Sequence, residues 1–374
     1  MRILLCNFHT GYAGGHNTYI LSLIEGYLQK NHTISVACPA SSQLYLSLNQ
    51  TLARYDIDYH SILKKWVRNL KQLYLLKKWI AQNHFDIIHL NGSACHRVIL
   101  LLYPFLKHKP RLILTKHHAL TPKLGAKLRM RYFTDAIIAV SQHTQRQLLQ
   151  AGSSKSTKLI PHGVDTDFYQ PVSSEKKRLL RQQYSINNDD FVFVSNAGTA
   201  KYKNWTHLIA AIAALAPELK NRIKVIIAGH HPTEVEITET VKKFDLMAQV
   251  IFPGFITDVR TIIGMGDIGF VLSNASETVS FACREMIAMG LPVIVSNFGG
   301  LPENVTADQD GWIVPINDIP SLTHLLITIL TQLTQKDLTQ MSQQARTKAI
   351  QQFDKKYFIN ATLQAYEDAL GIKK

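Results

Sequence analysis

A chain of 374 residues that is 46% hydrophobic and 18% charged is long enough for two domains with separate cores, which excludes a disordered or fibrous protein. Its formal net charge of +14 is one-sided: residues 1–166 hold 21 Lys+Arg against 6 Asp+Glu, net +15, whereas residues 167–374 hold 20 against 21, net −1. Cys6, Cys38, Cys95 and Cys283 form no C-x-x-C pair, the N-terminal apolar stretch is too short for a signal peptide, and no apolar run approaches the roughly 18 residues that span a bilayer, so a disulfide scaffold, a cysteine zinc site and a membrane span are not expected.

Arg2–Cys6 reads as a first strand, followed by the loop His9-Thr10-Gly11-Tyr12-Ala13-Gly14-Gly15-His16 and a helix from Asn17 with apolar residues at Ile20, Leu21, Ile24 and Leu28. A glycine loop after a first strand lets backbone approach a ligand closely, although many such loops are only turns and this one is not the dinucleotide fingerprint. Strands are then expected at Thr33–Cys38, Ile57–Ile62, Phe85–Leu90, Arg111–Thr115, Ala136–Val140 and Lys158–Pro161, alternating with helices, which argues for a parallel sheet covered on both faces. Between them, Trp66, Leu70, Leu73, Leu76 and Ile80 follow helical spacing with Lys65, Arg68, Lys71 and Lys78 on other faces. Such a basic amphipathic helix either covers the sheet or lies on an anionic membrane surface. Lys123, Lys127 and Arg131 form a second basic face, and Thr115-Lys116-His117-His118 closes a strand, where functional side chains of α/β sheets gather.

Residues 169–190 read as linker, and a second βα series follows at Phe191–Ser195, Lys224–Ala228, Val250–Phe252, Ile268–Leu272 and Pro292–Ser296. Three helices are expected after Pro315, near Ile319–Gln332, Leu338–Gln351 and Lys355–Leu370. In the midst of this half, Ser276-Glu277-Thr278-Val279-Ser280-Phe281 leads into a helix that carries Glu285 and stops at Gly290. The amides of Thr278, Val279, Ser280 and Phe281 at a helix start offer an anion site, and two flanking carboxylates would accept hydrogen bonds from hydroxyls. Spacing alone favours the plainer reading, Glu277 as a helix-start acid and Glu285 on a solvated face.

Glu277 and Glu285, with Ala288-Met289-Gly290-Leu291-Pro292-Val293-Ile294 and Gly299-Gly300-Leu301-Pro302-Glu303 behind them, resemble the donor-binding signature of glycosyltransferase family 4, over about forty residues. The resemblance implies an α/β GT-B fold, two Rossmann-like domains with parallel sheets facing across a cleft: residues 1–168 plus a returning helix 355–374 on the acceptor side, and residues 169–354 on the nucleotide-sugar side. It implies a metal-independent transferase that moves a sugar from a nucleotide-sugar, a UDP-sugar first among them, to a hydroxyl of a glycan or glycolipid with retention of configuration. In that reading Glu277 orients the donor sugar, Glu285 the ribose and Lys203 grips the diphosphate. His117 lines the sugar ring or acceptor, Gly14 and Gly15 lie against donor phosphates and acceptor, and Phe255 belongs to the nucleobase loop. The family places an Arg about five residues before the Lys; it is absent here, and Lys201 is the candidate to stand in. His118 and His162 occupy positions where the family carries an acid and an Asn. No cofactor and no metal are expected, the Asp-x-Asp triplets being taken as chance.

The basic first half suits an anionic acceptor, as in lipopolysaccharide or another envelope glycan, and a cytoplasmic protein attached peripherally to the inner membrane face. A nucleotide-sugar epimerase of the same fold is the alternative enzyme, and a polyanion-binding protein the non-enzymatic one. Nucleic acid is not expected, because no DNA- or RNA-reading motif accompanies the charge.

Overall fold

The computed structural model describes residues 1–10, 14–65, 67–118, 121–152 and 157–372. Two compact units emerge: Met1–His162 with Lys356–Lys374, and Gly163–Lys355. The first boundary falls before Gly163 rather than at Phe168 because Val164 is bonded into the second unit, its amide to the carbonyl of Phe353 at 2.7 Å and its carbonyl to the amide of Lys355 at 2.8 Å.

The first unit holds seven strands: β1 Arg2–Cys6, β2 Thr33–Cys38, β3 Ala53–Asp56, β4 Ile87–Leu90, β5 Arg111–Lys116, β6 Ala136–Ala139 and β7 Thr157–Leu159. They lie in the order β3-β2-β1-β4-β5-β6-β7, all parallel. The central strands β1, β4 and β5 are buried and mostly apolar along their length, as sheets covered on both faces require. The expected strand at Ile57–Ile62 is instead a helix, Tyr59–Lys64. Asp58 caps it, its carboxylate accepting from the amides of His60 and Ser61 at 3.0 Å, and Tyr59 and Ile62 are buried three residues apart. The strand lies earlier, at β3.

The basic amphipathic helix runs Leu70–Asn83 and buries Leu73, Leu76 and Ile80 as expected of a sheet-covering helix. Leu70 is exposed, however, and joins Val67 and Tyr74 at the surface; Trp66 lies outside the described residues.

The helix Lys355–Leu370 packs in the first unit from Lys356 onward. A buried polar chain holds it. Tyr366 Oη lies 2.5 Å from His89 Nδ1, His89 Nε2 lies 2.6 Å from Thr115 Oγ1, and Tyr19 Oη meets the same hydroxyl at 3.2 Å.

In the second unit, β8 Phe191–Ser195, β9 Ile223–Ile227, β10 Val250–Ile251, β11 Ile268–Val271, β12 Val293–Ser296 and β13 Gly311–Val314 form a parallel sheet in the order β10-β9-β8-β11-β12-β13. β13 carries no expectation from sequence. Nor is 169–190 a mere linker: Ser173 caps a helix, Ser174–Gln182, whose Arg181 is buried. The Arg181 guanidinium donates to the carbonyls of Met265, Asn188 and Asp190 and pairs with Asp267 at 2.8 Å, so a cation-rich run is held by one fully bonded arginine. No helix of the described residues is long and apolar enough to cross a membrane.

Burial pushes the His89 imidazole down from 6.5 to about 3. Below pH 6.5 the unfolded chain binds a proton that the folded unit refuses, so the stability present above that pH is lost as pH falls toward 3, by up to about 1.4 kcal/mol per pH unit. Calorimetry is expected to show the thermal midpoint falling between pH 7 and pH 5, and His89→Gln is expected to lower the midpoint at pH 7 while reducing that slope.

Candidate functional site

Strand order reverses between β1 and β4 in the first sheet and between β8 and β11 in the second, and loops leaving the strand ends there diverge to open a crevice. Gly14, Gly15, Lys201, Lys203, Glu277, Thr278–Phe281 and Glu285 follow those strands, whereas His117 follows β5 and Phe255 follows β10.

In the second unit, the loop after β8 runs Asn196–Asn204. Trp205 Nε1 donates to the Thr199 carbonyl at 2.9 Å and pins it. It ends in a short 3-10 turn, Lys201–Lys203, and in Asn204, which is left-handed at φ 58°. Lys203 Nζ forms an ion pair with Glu277, whose carboxylate also accepts from Ser273 Oγ at 3.1 Å. Glu277 is 6% exposed, so the pair is largely out of water. Lys201 is exposed on the same turn, and its charge acts on Glu236.

The loop after β11 is strained, with Ser276 and Ser280 at φ 58° and 64°. Three contacts hold it. Ser280 caps the helix Phe281–Ala288, its Oγ accepting from the amide of Cys283 at 3.3 Å. The Asn304 amide donates to the carbonyl of Val279 at 2.7 Å while its oxygen accepts from Arg284 Nε at 2.8 Å. Gly299, at φ +58°, packs so tightly on the Glu277 carbonyl that a Cβ would overlap it. Thr278, Val279, Ser280 and Phe281 are thereby fixed ahead of a helix N-terminus.

Glu285 lies one turn into that helix and is half-buried. It accepts from Tyr169 Oη at 3.1 Å and from Asn196 Nδ2 at 2.5 Å, and burial raises its pKa above the usual carboxylate range against those two hydrogen bonds. Phe255 is exposed beside His230, ring centroids 6.2 Å apart, where the loops after β8, β9 and β10 converge: Gly229 donates to the Gly254 carbonyl at 3.0 Å and packs on Gly198.

In the first unit His117 is buried at the end of β5. Asn91 Nδ2 donates to the Cys6 carbonyl at 3.2 Å, which turns Asn91 Oδ1 toward His117 Nε2 at 3.1 Å. A carbonyl oxygen only accepts, so Nε2 carries the proton and Nδ1 is the accepting nitrogen. Burial first, then the neighbouring His16 and His162, hold the ring well below 6.5 and therefore neutral at pH 7. Gly14, at φ +151° with open space where a Cβ would be, precedes the helix Gly15–Leu28; Gly11, Tyr12 and Ala13 of that loop lie outside the described residues.

A cavity of about 620 Å³ opens beside His117, lined also by His16, Asn91, Lys116, Lys123 and Arg129. Arg129 Nε is buried there without a hydrogen-bond partner. Sequence reasoning did not single out Tyr169 and Asn196, the partners of Glu285, nor His9, His16 and His60 around His117. Long-range partners carry no local signal, whereas the two histidines that bracket the glycine loop were visible in the sequence as a pattern.

Comparison with known proteins agrees with this architecture. The family description "Glycosyltransferase Family 4" matches residues 13–168, and "Glycosyl transferases group 1" matches residues 176–348. The phosphatidyl-myo-inositol mannosyltransferase of Mycolicibacterium smegmatis is 24% identical over 384 aligned residues, covering 99% of this chain and 95% of that protein. A glycosyltransferase from Rickettsia africae superposes with a TM-score of 0.85 at 18% identity, covering 100% of this chain and 99% of that one. Anabaena Alr3699/HepE, solved in complex with UDP, superposes with a TM-score of 0.84 at 20% identity, covering 98% and 100%.

Replacing Lys203 by Met leaves the Glu277 carboxylate buried without its cation, a loss of about 3–5 kcal/mol for such pairs. Denaturant unfolding is expected to show that loss, and the double variant Lys203→Met, Glu277→Gln is expected to recover part of it.

Proposed function

The chain belongs to the group 1 glycosyltransferases of family 4, and from that premise we propose that it transfers a sugar, with retention of configuration, from a UDP-sugar to a hydroxyl of an anionic glycan or glycolipid of the cell envelope. Use of a nucleotide-sugar donor comes with the family; the base, the stereochemistry and the acceptor are the proposal. The observation that carries it is the arrangement in the second unit: a Lys203–Glu277 pair with a buried carboxylate and a half-buried, hydrogen-bonded Glu285 around the fixed amides of Thr278–Phe281. Amides and helix dipole suit a diphosphate, and carboxylates that only accept suit sugar and ribose hydroxyls. UDP is favoured because the Anabaena protein of the same fold is solved with it.

Retention without a buried strong base calls for attack on the face from which the diphosphate departs. The chemistry then depends on stabilising the leaving group. Lys203 and the loop amides are placed for that as charge develops, and Glu277 holds Lys203 in position beforehand. Glu285, fixed by Tyr169 and Asn196, orients the ribose. His117, neutral with Nδ1 as acceptor, receives a hydroxyl of sugar or acceptor. Gly14 and Gly15 leave space for close approach, Phe255 flanks the base, and Lys201 supplements Lys203.

The cavity of the first unit supports an anionic acceptor, since Lys116, Lys123 and the Nε of Arg129 converge on it. A membrane-borne acceptor accounts for the neighbouring surface. Leu124, Leu128 and Tyr132 are exposed at four-residue intervals along the helix Leu124–Tyr132, beside Lys127 and Arg131. An apolar stripe flanked by cations is the pattern of helices that lie in an anionic interface.

Thermal unfolding in EDTA with UDP, GDP, ADP and CMP tests the donor site. UDP at about a hundred times its Kd is expected to stabilise by roughly 2.7 kcal/mol, a rise of about 5–10 °C, and Glu285→Ala is expected to abolish it. No response to any nucleotide would overturn the reading. Cosedimentation with phosphatidylglycerol vesicles, lost on replacing Leu128 by Glu and absent with phosphatidylcholine, is expected for the membrane surface.

A further inference from the structure

We propose that His9, His16 and His118 form a binding site for a divalent transition metal, zinc first among them, on the first unit beside His117. The three rings come from three places in the fold: the loop after β1, the first turn of the helix Gly15–Leu28, and the loop after β5. One ring nitrogen from each lies within 4.8 Å of the other two. The ring centroids of His9 and His16 are 4.1 Å apart, those of His16 and His118 5.4 Å, and those of His9 and His118 6.5 Å.

The second observation is an absence of partners where partners are expected. His9 Nε2 and both ring nitrogens of His16 are buried and accept or donate no hydrogen bond. Buried polar atoms are nearly always satisfied, and three orphaned nitrogens on two adjacent rings mark a place where something else binds. Imidazole nitrogen is a borderline ligand that favours zinc, copper and nickel over magnesium or calcium. Around a tetrahedral zinc with Zn–N bonds of about 2.0–2.1 Å the nitrogens stand roughly 3.4 Å apart. Closing from the observed spacing takes about an ångström of side-chain rotation, which the exposed His118 is free to make.

Three protein nitrogens leave a fourth position for water or another oxygen. His16 and His118 also line the cavity beside His117, so that position adjoins the cavity. Lys116, next to His118 and on the same cavity wall, opposes the added charge, which makes its removal informative.

The test needs no sugar substrate. Protein stripped with EDTA and dialysed is titrated with zinc chloride against a chromophoric chelator. One zinc per chain is expected, weakened at least tenfold in His16→Ala and in His118→Ala and unchanged in His324→Ala, which alters an exposed residue of the second unit. Lys116→Met is expected to tighten binding. Cobalt is expected to give the intense visible bands of a four-coordinate ion, and magnesium at millimolar concentration is expected not to compete. His118 is exposed, so its truncation leaves the fold intact, which circular dichroism checks. Failure of the wild type to bind zinc stoichiometrically, or equal binding by the His16 and His118 variants, would overturn the proposal and assign the orphaned nitrogens to hydroxyls of an organic ligand.

Discussion

Both sheets obey one constraint: a parallel strand cannot be followed by its neighbour without a crossover, and the chain crosses first to one side of the starting strand and then to the other. The reversal leaves β1 beside β4 and β8 beside β11 with their following loops bent apart. Gly14, Lys203, Glu277 and Glu285 follow those strands, and His117 contacts Asn91, which does. Asn91 follows β4 and orients His117; Asn196 follows β8 and holds Glu285, which follows β11. The crevice is a consequence of topology before any side chain is chosen.

What the side chains add is fixation. The loop after β11 stands in a backbone conformation that serine adopts reluctantly, twice within five residues. Asn304, Arg284 and Gly299 hold it so, with no direct contact to a ligand required of them. Glu277 and Glu285 are likewise held in hydrogen bonds before any donor arrives, so their orientation costs little at the moment of binding.

The parallel architecture and the sites at strand ends were legible because apolar runs and glycine loops are local signals. The errors were local too. Ile57–Ile62 carries an apolar residue at each end, but Asp58 is an N-cap and its reach to two amides decides for helix. The segment 169–190 looked like a solvated linker because its charges dominate, whereas the buried Arg181 satisfies the carbonyls of Asn188 and Asp190 within the segment and of Met265 outside it. Glu285 shows the limit most plainly. Its spacing favours a solvated acid, and what holds it instead is Tyr169 and Asn196, 116 and 89 residues away in the chain.

The chain of hydrogen bonds from Tyr366 through His89 and Thr115 to Tyr19 has a temporal consequence. The second unit is a continuous stretch, Gly163–Lys355, while the first needs a helix encoded after it. During synthesis on the ribosome the seven-stranded sheet therefore emerges early and waits, with His89 and the surface that will receive Tyr366 uncovered, until the downstream unit has been made. The first unit, translated first, is therefore completed last.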